Sequence, residues 1–211
     1  MKALKIILIA STCYVLIFTP LFLLLNHFFF SLEFSRQGIE SQSGINRENY
    51  LLYTGQVIKY FFNTEKEISI KDADGNIINN FFTEEEIIHM RDVKRIIRIV
   101  FYVLIISLIL TVFVLTRTKG KYGIISVSST ITFIIISVVA IFAYFGFDRS
   151  FYIFHEVLFR NQYWLLPADT MLIKMFPLGF FYEYAIVWFI ISACLSLFTG
   201  IIARNLRQFE L

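Results

Sequence analysis

Charge is scarce in this 211-residue chain: Asp, Glu, Lys and Arg together make up 17% of it, and it holds two cysteines, three prolines and three histidines. Against that stand 57% hydrophobic and 18% aromatic residues and a mean hydropathy of +0.69. One water-soluble core cannot enclose so much apolar surface, so the chain reads as an integral membrane protein. Two cysteines exclude a disulfide framework. Cys13 and Cys194 both fall inside apolar runs, where thiols pack rather than bridge. A net charge of +3 with no basic stripe excludes nucleic acid as a partner. The familiar catalytic signatures are also missing, since there is no G-x-S-x-G elbow, no Walker loop and no Gly-rich dinucleotide turn. His155-Glu156 opens a zincin-like motif, but Phe159 stands where the second histidine belongs. Glu86-Ile-Ile-His89 has the spacing of a di-iron helix motif and occurs once, whereas such sites need a second copy. A metal held by Glu86, His89, His155 and Glu156 stays open as an alternative on ligand count; otherwise no cofactor is expected.

What is present is four long apolar runs, Ile6 to Leu25, Ile96 to Thr116, Ile124 to Phe145 and Phe181 to Ala203. Each is near the length of about 20 residues that a helix needs to cross a bilayer. The chain is therefore expected to be all-α, a single membrane domain of four transmembrane helices. The first run is too long, and too poor in small residues at its end, for a cleaved signal peptide. Lys2, Lys5, the turn 117–123 with Arg117, Lys119 and Lys121, and the tail with Arg204 and Arg207 carry the basic residues of short loops. The acidic residues, Glu210 excepted, fall on the other side. The positive-inside rule then puts both termini in the cytoplasm and the two long connections outside.

The first outer connection, 26–95, reads as a mixed region. SRQGIESQSG has loop composition, NRENYLLYTGQVIKYFF has helical spacing, and ISIKDADGNIINNFF suggests a short hairpin around Asp74-Gly75. Asp72 and Asp74 lack the further ligands of a calcium loop. Thr83 followed by Glu86 is a capping box, which should start a helix that runs unbroken into the second span and puts His89 and Asp92 on one face. The second connection, 146–180, is an aromatic stretch expected to lie in the outer interface. A short helix over FYIFHEVLF should end before Pro167, Asp169 is placed to cap the next one, and Pro177 with Gly179 should turn the chain into the last span.

His27, His89 and His155 are all expected at the outer boundary, and histidine is the side chain best suited to move a proton at neutral pH. His89 and His155 each stand beside a carboxylate on segments expected to converge, whereas His27 marks a helix end. HMRDV after a capped EEE turn, together with FHEVLFRNQYWLLPADTMLIKMFP between the last two spans, resembles the bacterial lipoprotein intramolecular transacylase family of four-helix membrane proteins. The resemblance covers nearly the whole chain. It implies a substrate of diacylglyceryl-modified lipoprotein in the membrane, among its phospholipid. The sn-2 acyl chain then moves to the α-amino group of the lipoprotein's N-terminal cysteine, giving a lyso-form N-acyl lipoprotein. It implies His89 and His155 as the catalytic pair and gives Asp92, Asn161, Trp164 and Asp169 site-shaping roles. Arg160, Asn161 and the Trp164 indole are candidate donors to an oxyanion, and Arg160 and Lys174 equally suit phosphate contact at headgroup level. No cofactor is expected, and a monomer is.

The nucleophile is then the substrate's own amine, so no enzyme serine or cysteine is required. His155, in the more apolar stretch, is expected to act as base, and His89, beside Asp92, to carry charge as acid or oxyanion donor, or the two in reverse. A membrane lipid hydrolase or another acyltransferase using the same histidines, and a non-enzymatic accessory protein, are the alternatives.

Overall fold

The computed structural model describes residues 2–209. These are helical nearly throughout, and no strand forms among them. The helices are α1 (Lys2–Leu23), α2 (His27–Arg36), α3 (Ile39–Ser43), α4 (Arg47–Phe62), α5 (Glu84–Arg117), α6 (Lys121–Phe145), α7 (Phe147–Leu158), α8 (Met171–Met175) and α9 (Leu178–Arg207). Among the described residues α1, α5, α6 and α9 are long and apolar enough to cross a membrane, and the protein is a multi-pass membrane protein of the all-α class.

The chain divides into two compact units. The first combines residues up to Leu23 with Val100–Gly146 and Ala185–Leu211. Its helices are apolar outward, and polar atoms are turned inward to other helices. Thr111 Oγ1 donates to Ser11 Oγ at 2.9 Å, Cys13 Sγ to the Ser128 carbonyl at 3.4 Å, and Tyr14 Oη to the Val100 carbonyl at 3.2 Å. In α1, which contains Pro20, the Ile17 carbonyl accepts from both Trp188 Nε1 and Ser192 Oγ. Small hydroxyl residues such as Ser128, Thr132, Ser192 and Ser196 are fully buried. They allow the close helix approach by which spans associate in lipid. Cys13 and Cys194 are free thiols.

The second unit combines Leu24–Ile99 with Phe147–Tyr184. The stretch expected as loop, SRQGIESQSG, is mostly helical instead. α2 runs through Arg36 and α3 follows after Gly38, whose φ of +61° suits a residue without Cβ. Burial accompanies the helical form: Phe29, Phe30 and Phe34 of α2, which runs into the stretch, and Ile39 of α3 all place their side chains in the core. Phe30 stacks on Phe180 at 5.6 Å, and Phe34 meets Tyr50 of α4 at 5.2 Å. α4 starts where expected, with Asn46 accepting from the Asn49 amide. The expected hairpin is reduced to one bridge, Lys71 to Ile77. The reason is local: the Gln56 side chain donates to the Lys71 carbonyl and accepts from its amide, taking the place of a further strand. Asp72 Oδ1 accepts from the Asp74 and Asn76 amides, so this carboxylate closes its own turn.

Two buried ionisable side chains, Lys94 and Glu33, fix the periphery of this unit. Lys94 Nζ donates to Asn63 Oδ1 at 2.9 Å and the Glu65 carbonyl at 2.7 Å, and lies 3.9 Å over the Tyr60 ring. Glu33, 1% exposed, accepts from Gln37 Nε2, which also donates to Glu183. Burial holds the Glu33 carboxyl above its ordinary value of 4.5, the Gln37 bond opposes this, and the Glu183 charge adds to it. Between 4.5 and its raised value the folded protein therefore keeps a proton that the unfolded chain has released. This contribution to stability is complete below 4.5 and is lost as pH rises through the folded value. The thermal midpoint of the detergent-solubilised protein is expected to fall less between pH 5 and pH 8 in Glu33→Gln than in wild type; equal slopes would contradict it.

Candidate active site

α5 begins at a reciprocal cap. The Thr83 amide donates to Glu86 Oε2 at 2.6 Å, and the Glu86 amide donates to Thr83 Oγ1 at 3.3 Å; a cap of this kind contributes about 1 kcal/mol. With the helix started there, Glu86, His89 and Asp92 follow at three-residue intervals along one face. Glu86 is fully buried and its second oxygen accepts from the Leu172 amide, in α8, at 2.5 Å.

α7 supplies the other ring. Its last turn holds His155 with the ring turned inward, while Ile153, Phe154 and Val157 face outward. His155 Nδ1 lies 2.7 Å from the Phe151 carbonyl oxygen, one turn earlier. A carbonyl can only accept, so in the neutral ring Nδ1 carries the hydrogen and Nε2 carries the free lone pair. The ring centroids of His89 and His155 are 6.0 Å apart. Phe159 packs against both, at 5.1 and 5.5 Å, Phe151 covers His155 at 4.2 Å, and Trp164 lies over it at 5.1 Å with a 30° tilt. Tyr152 meets Trp164 at 5.0 Å in a T-shaped contact.

This aromatic box governs protonation. Each histidine is only 8% exposed. Burial pushes His89 from 6.5 down to about 4; the His155 charge acts in the same direction and Asp92 opposes both. His155 is also held below 6.5 by burial, against the stabilising bond to the Phe151 carbonyl. Both rings are therefore neutral at pH 7, and protonating one raises the cost of protonating the other. The expectation that Asp92 lets His89 carry charge is reversed, because desolvation outweighs it. The Asp92 carboxylate is moreover engaged elsewhere, accepting from Asn161 Nδ2 at 2.8 Å.

Of the residues singled out in the sequence, the fold gathers His89, His155, Asp92, Asn161 and Trp164. Arg160 and Asp169 are exposed, and the cap position before α8 is Thr170, not Asp169. The turn closes through Thr170 Oγ1 donating to the Pro167 carbonyl, a bond that Asp169 does not supply. Three further participants were missed: Glu86 as an anchor of the second connection, and Phe151 and Phe159. The two phenylalanines lie four residues either side of His155, the spacing at which helical side chains stack, which was the available signal. Glu86 commits both oxygens to backbone amides. Among the described residues no three His, Cys, Asp or Glu side chains are grouped so as to ligate a metal.

Comparison with known proteins bears on the family and the fold. Residues 5–181 match the family described as lipoprotein intramolecular transacylase Lit. An uncharacterized protein of Aquifex aeolicus (strain VF5) is 27% identical over 184 residues, covering 84% of this chain and 83% of its own. The in meso structure of the membrane integral lipoprotein intramolecular transacylase Lit from Bacillus cereus superposes with a TM-score of 0.81 at 17% identity, over 99% of this chain and 96% of that one. A variant of that protein with a histidine-to-alanine substitution gives a TM-score of 0.77 at 16% identity, over 99% and 94%. At these identities the solved structures speak for the fold.

Because the His155 charge is one of the forces holding His89 down, His155→Gln is expected to raise the His89 midpoint above about 4 while leaving it below 6.5. NMR titration of histidine-labelled protein reads this, and an unmoved midpoint would count against electrostatic coupling of the rings.

Proposed function

We infer that this chain, which belongs to the lipoprotein intramolecular transacylase Lit family, moves the sn-2 acyl chain of an S-diacylglyceryl cysteine to that cysteine's own α-amino group. The observation that carries the reading is the pair of neutral histidine rings 6.0 Å apart in a box of Phe and Trp side chains that bear no nucleophile. Such a pair suits a reaction whose nucleophile arrives with the substrate.

The α-ammonium of a peptide has a pKa near 8, so a base must take its first proton. His155 Nε2, the lone-pair nitrogen, does this, and the bond from Nδ1–H to the Phe151 carbonyl supports the imidazolium that forms. The freed amine attacks the ester carbonyl through an eight-membered cyclic tetrahedral intermediate; its nitrogen–carbon bond forms and the bond from the carbonyl carbon to the sn-2 oxygen breaks. Of the three protons on the ammonium, one stays as the amide N–H, one goes to the released glycerol hydroxyl and one leaves to solvent. His89, neutral and adjacent, serves as hydrogen-bond donor to the oxyanion or as relay to the leaving oxygen. Exclusion of water strengthens each of these contacts, and holding amine and ester on one residue supplies roughly 7 to 11 kcal/mol of the orientation advantage known for intramolecular reactions.

The outward apolar face of α7, with Ile153, Phe154 and Val157 exposed, is where the acyl chains run. His89 lies two turns before Ile96, where the apolar stretch of α5 starts, so the reaction takes place near the end of that span. From the distribution of Lys and Arg this is the outer leaflet of a bacterial cell membrane, with both termini in the cytoplasm.

Purified protein incubated with a synthetic diacylated lipopeptide is expected to give an N-acyl, mono-ester product by mass spectrometry. His89→Asn and His155→Asn should each lower the rate at least about 100-fold, the lower end of the range for acid–base groups. Undiminished transfer in both variants would sink the catalytic pair. Release of fatty acid from phospholipid alone would instead point to a hydrolase.

A further inference from the structure

Glu86 and Asp92 stand one turn before and one turn after His89 on the same face of α5, and both reach into the connection between α7 and α8. Asn161, near its start, donates to Asp92 at 2.8 Å. Leu172, at its end, donates its backbone amide to Glu86 at 2.5 Å. The segment held between these two points carries Trp164, whose ring covers His155. The two ties differ in kind. Asn161 to Asp92 is a part-buried bond between side chains. Glu86 is fully buried, and it accepts from two backbone amides, those of Thr83 and Leu172, with one oxygen each. We propose that Glu86 is a positioning residue, a carboxylate clamp that fixes the 159–172 segment to α5 and so holds Trp164 and Asn161 in place around the histidine pair.

The chemistry of the clamp explains why a carboxylate occupies the position. A buried acceptor facing two N–H donors must offer two oxygens, and glutamate does so. Glutamine offers one oxygen and sets an NH2 group against the second amide, leaving a buried donor unpaired, which is among the more destabilising arrangements of polar groups. Released at Leu172, the segment keeps the Asn161 bond and its packing contacts but loses the hydrogen bond that fixes its C-terminal end, and the water-excluding cover over His155 loosens. Asp92 alone cannot replace the clamp, because it holds the segment at the opposite end. The inference deepens the transacylase reading and rests on it for its effect on rate, though not for its effect on the segment.

Two variants break the same bond from opposite sides. Glu86→Gln removes the acceptor. Leu172→Pro removes the amide hydrogen at a first-turn position that tolerates proline, and it leaves the cap between Thr83 and Glu86 intact. Both are made in a Trp188→Phe background, so that Trp164 is the one indole of a chain with two. Acrylamide quenching of Trp164 is expected to increase in both. Transfer to a diacylated lipopeptide should fall by up to roughly 100-fold, the effect of misplacing reacting groups by about an ångström. The acid limb of the pH–rate profile should move to higher pH as the histidines gain water, which a mere loss of folded enzyme would not do. Unchanged quenching in both variants overturns the clamp. Increased quenching with undiminished transfer and an unmoved pH profile overturns its positioning role. Absence of N-acyl product from the unmodified protein is the failure of the transacylase reading alone, and the quenching comparison still decides the clamp.

Discussion

A single buried carboxylate ties together the parts of this protein where chemistry is expected. Glu86 closes the N-terminal cap of α5 with one oxygen and holds the first turn of α8 with the other. An uncompensated carboxylate in such a place would be costly to bury. Its presence is tolerable because each oxygen meets a backbone amide that would otherwise lack a partner at a helix start. The same interaction therefore satisfies the helix ends and sets the register of α5, on which His89 and Asp92 follow at intervals of one turn.

With that register in place, the aromatic residues do the remaining work. Phe151, Phe159 and Trp164 remove water from His155, and Phe159 does the same for His89. Burial dominates the protonation of both rings, and the carbonyl of Phe151 selects which nitrogen of His155 bears hydrogen. The outcome is two neutral imidazoles, of which protonating one disfavours protonating the other. Such a pair is suited to passing one proton at a time rather than to storing charge. For the proposed acyl transfer, where an ammonium loses a proton and an alkoxide gains one, this is the relevant property.

The family membership and the fold agree with the helical reading of the chain, while the details of the outer regions depend on packing. Similarity of fold at 17% identity reflects conserved span placement and helix order more than conserved side chains. The polar residues turned inward in the apolar unit, such as Ser11 with Thr111 and Trp188 with Ile17, belong to this scaffold and take no part in the proposed chemistry.

The amino-acid sequence alone determined the class of the fold, the four spans, the capped start of α5 at Thr83 and Glu86, the helix from Arg47 and the two histidines of interest. All of these are written in local patterns: apolar run length, capping residues and i to i+3 spacing. Only the tertiary structure decided that SRQGIESQSG is largely helical, since its one apolar side chain, Ile39, is fully buried and α3 packs on α8. It also decided that the hairpin around Gly75 is satisfied by a side chain of α4. Within the site, it separated Asn161, which bonds to Asp92, and Trp164, which covers His155, from Arg160 and Asp169, which remain in solvent. It showed Glu86 gripping an amide 86 residues away and His89 held neutral in spite of Asp92. These facts depend on distance and desolvation between segments remote in sequence, and neither quantity exists until the chain has folded.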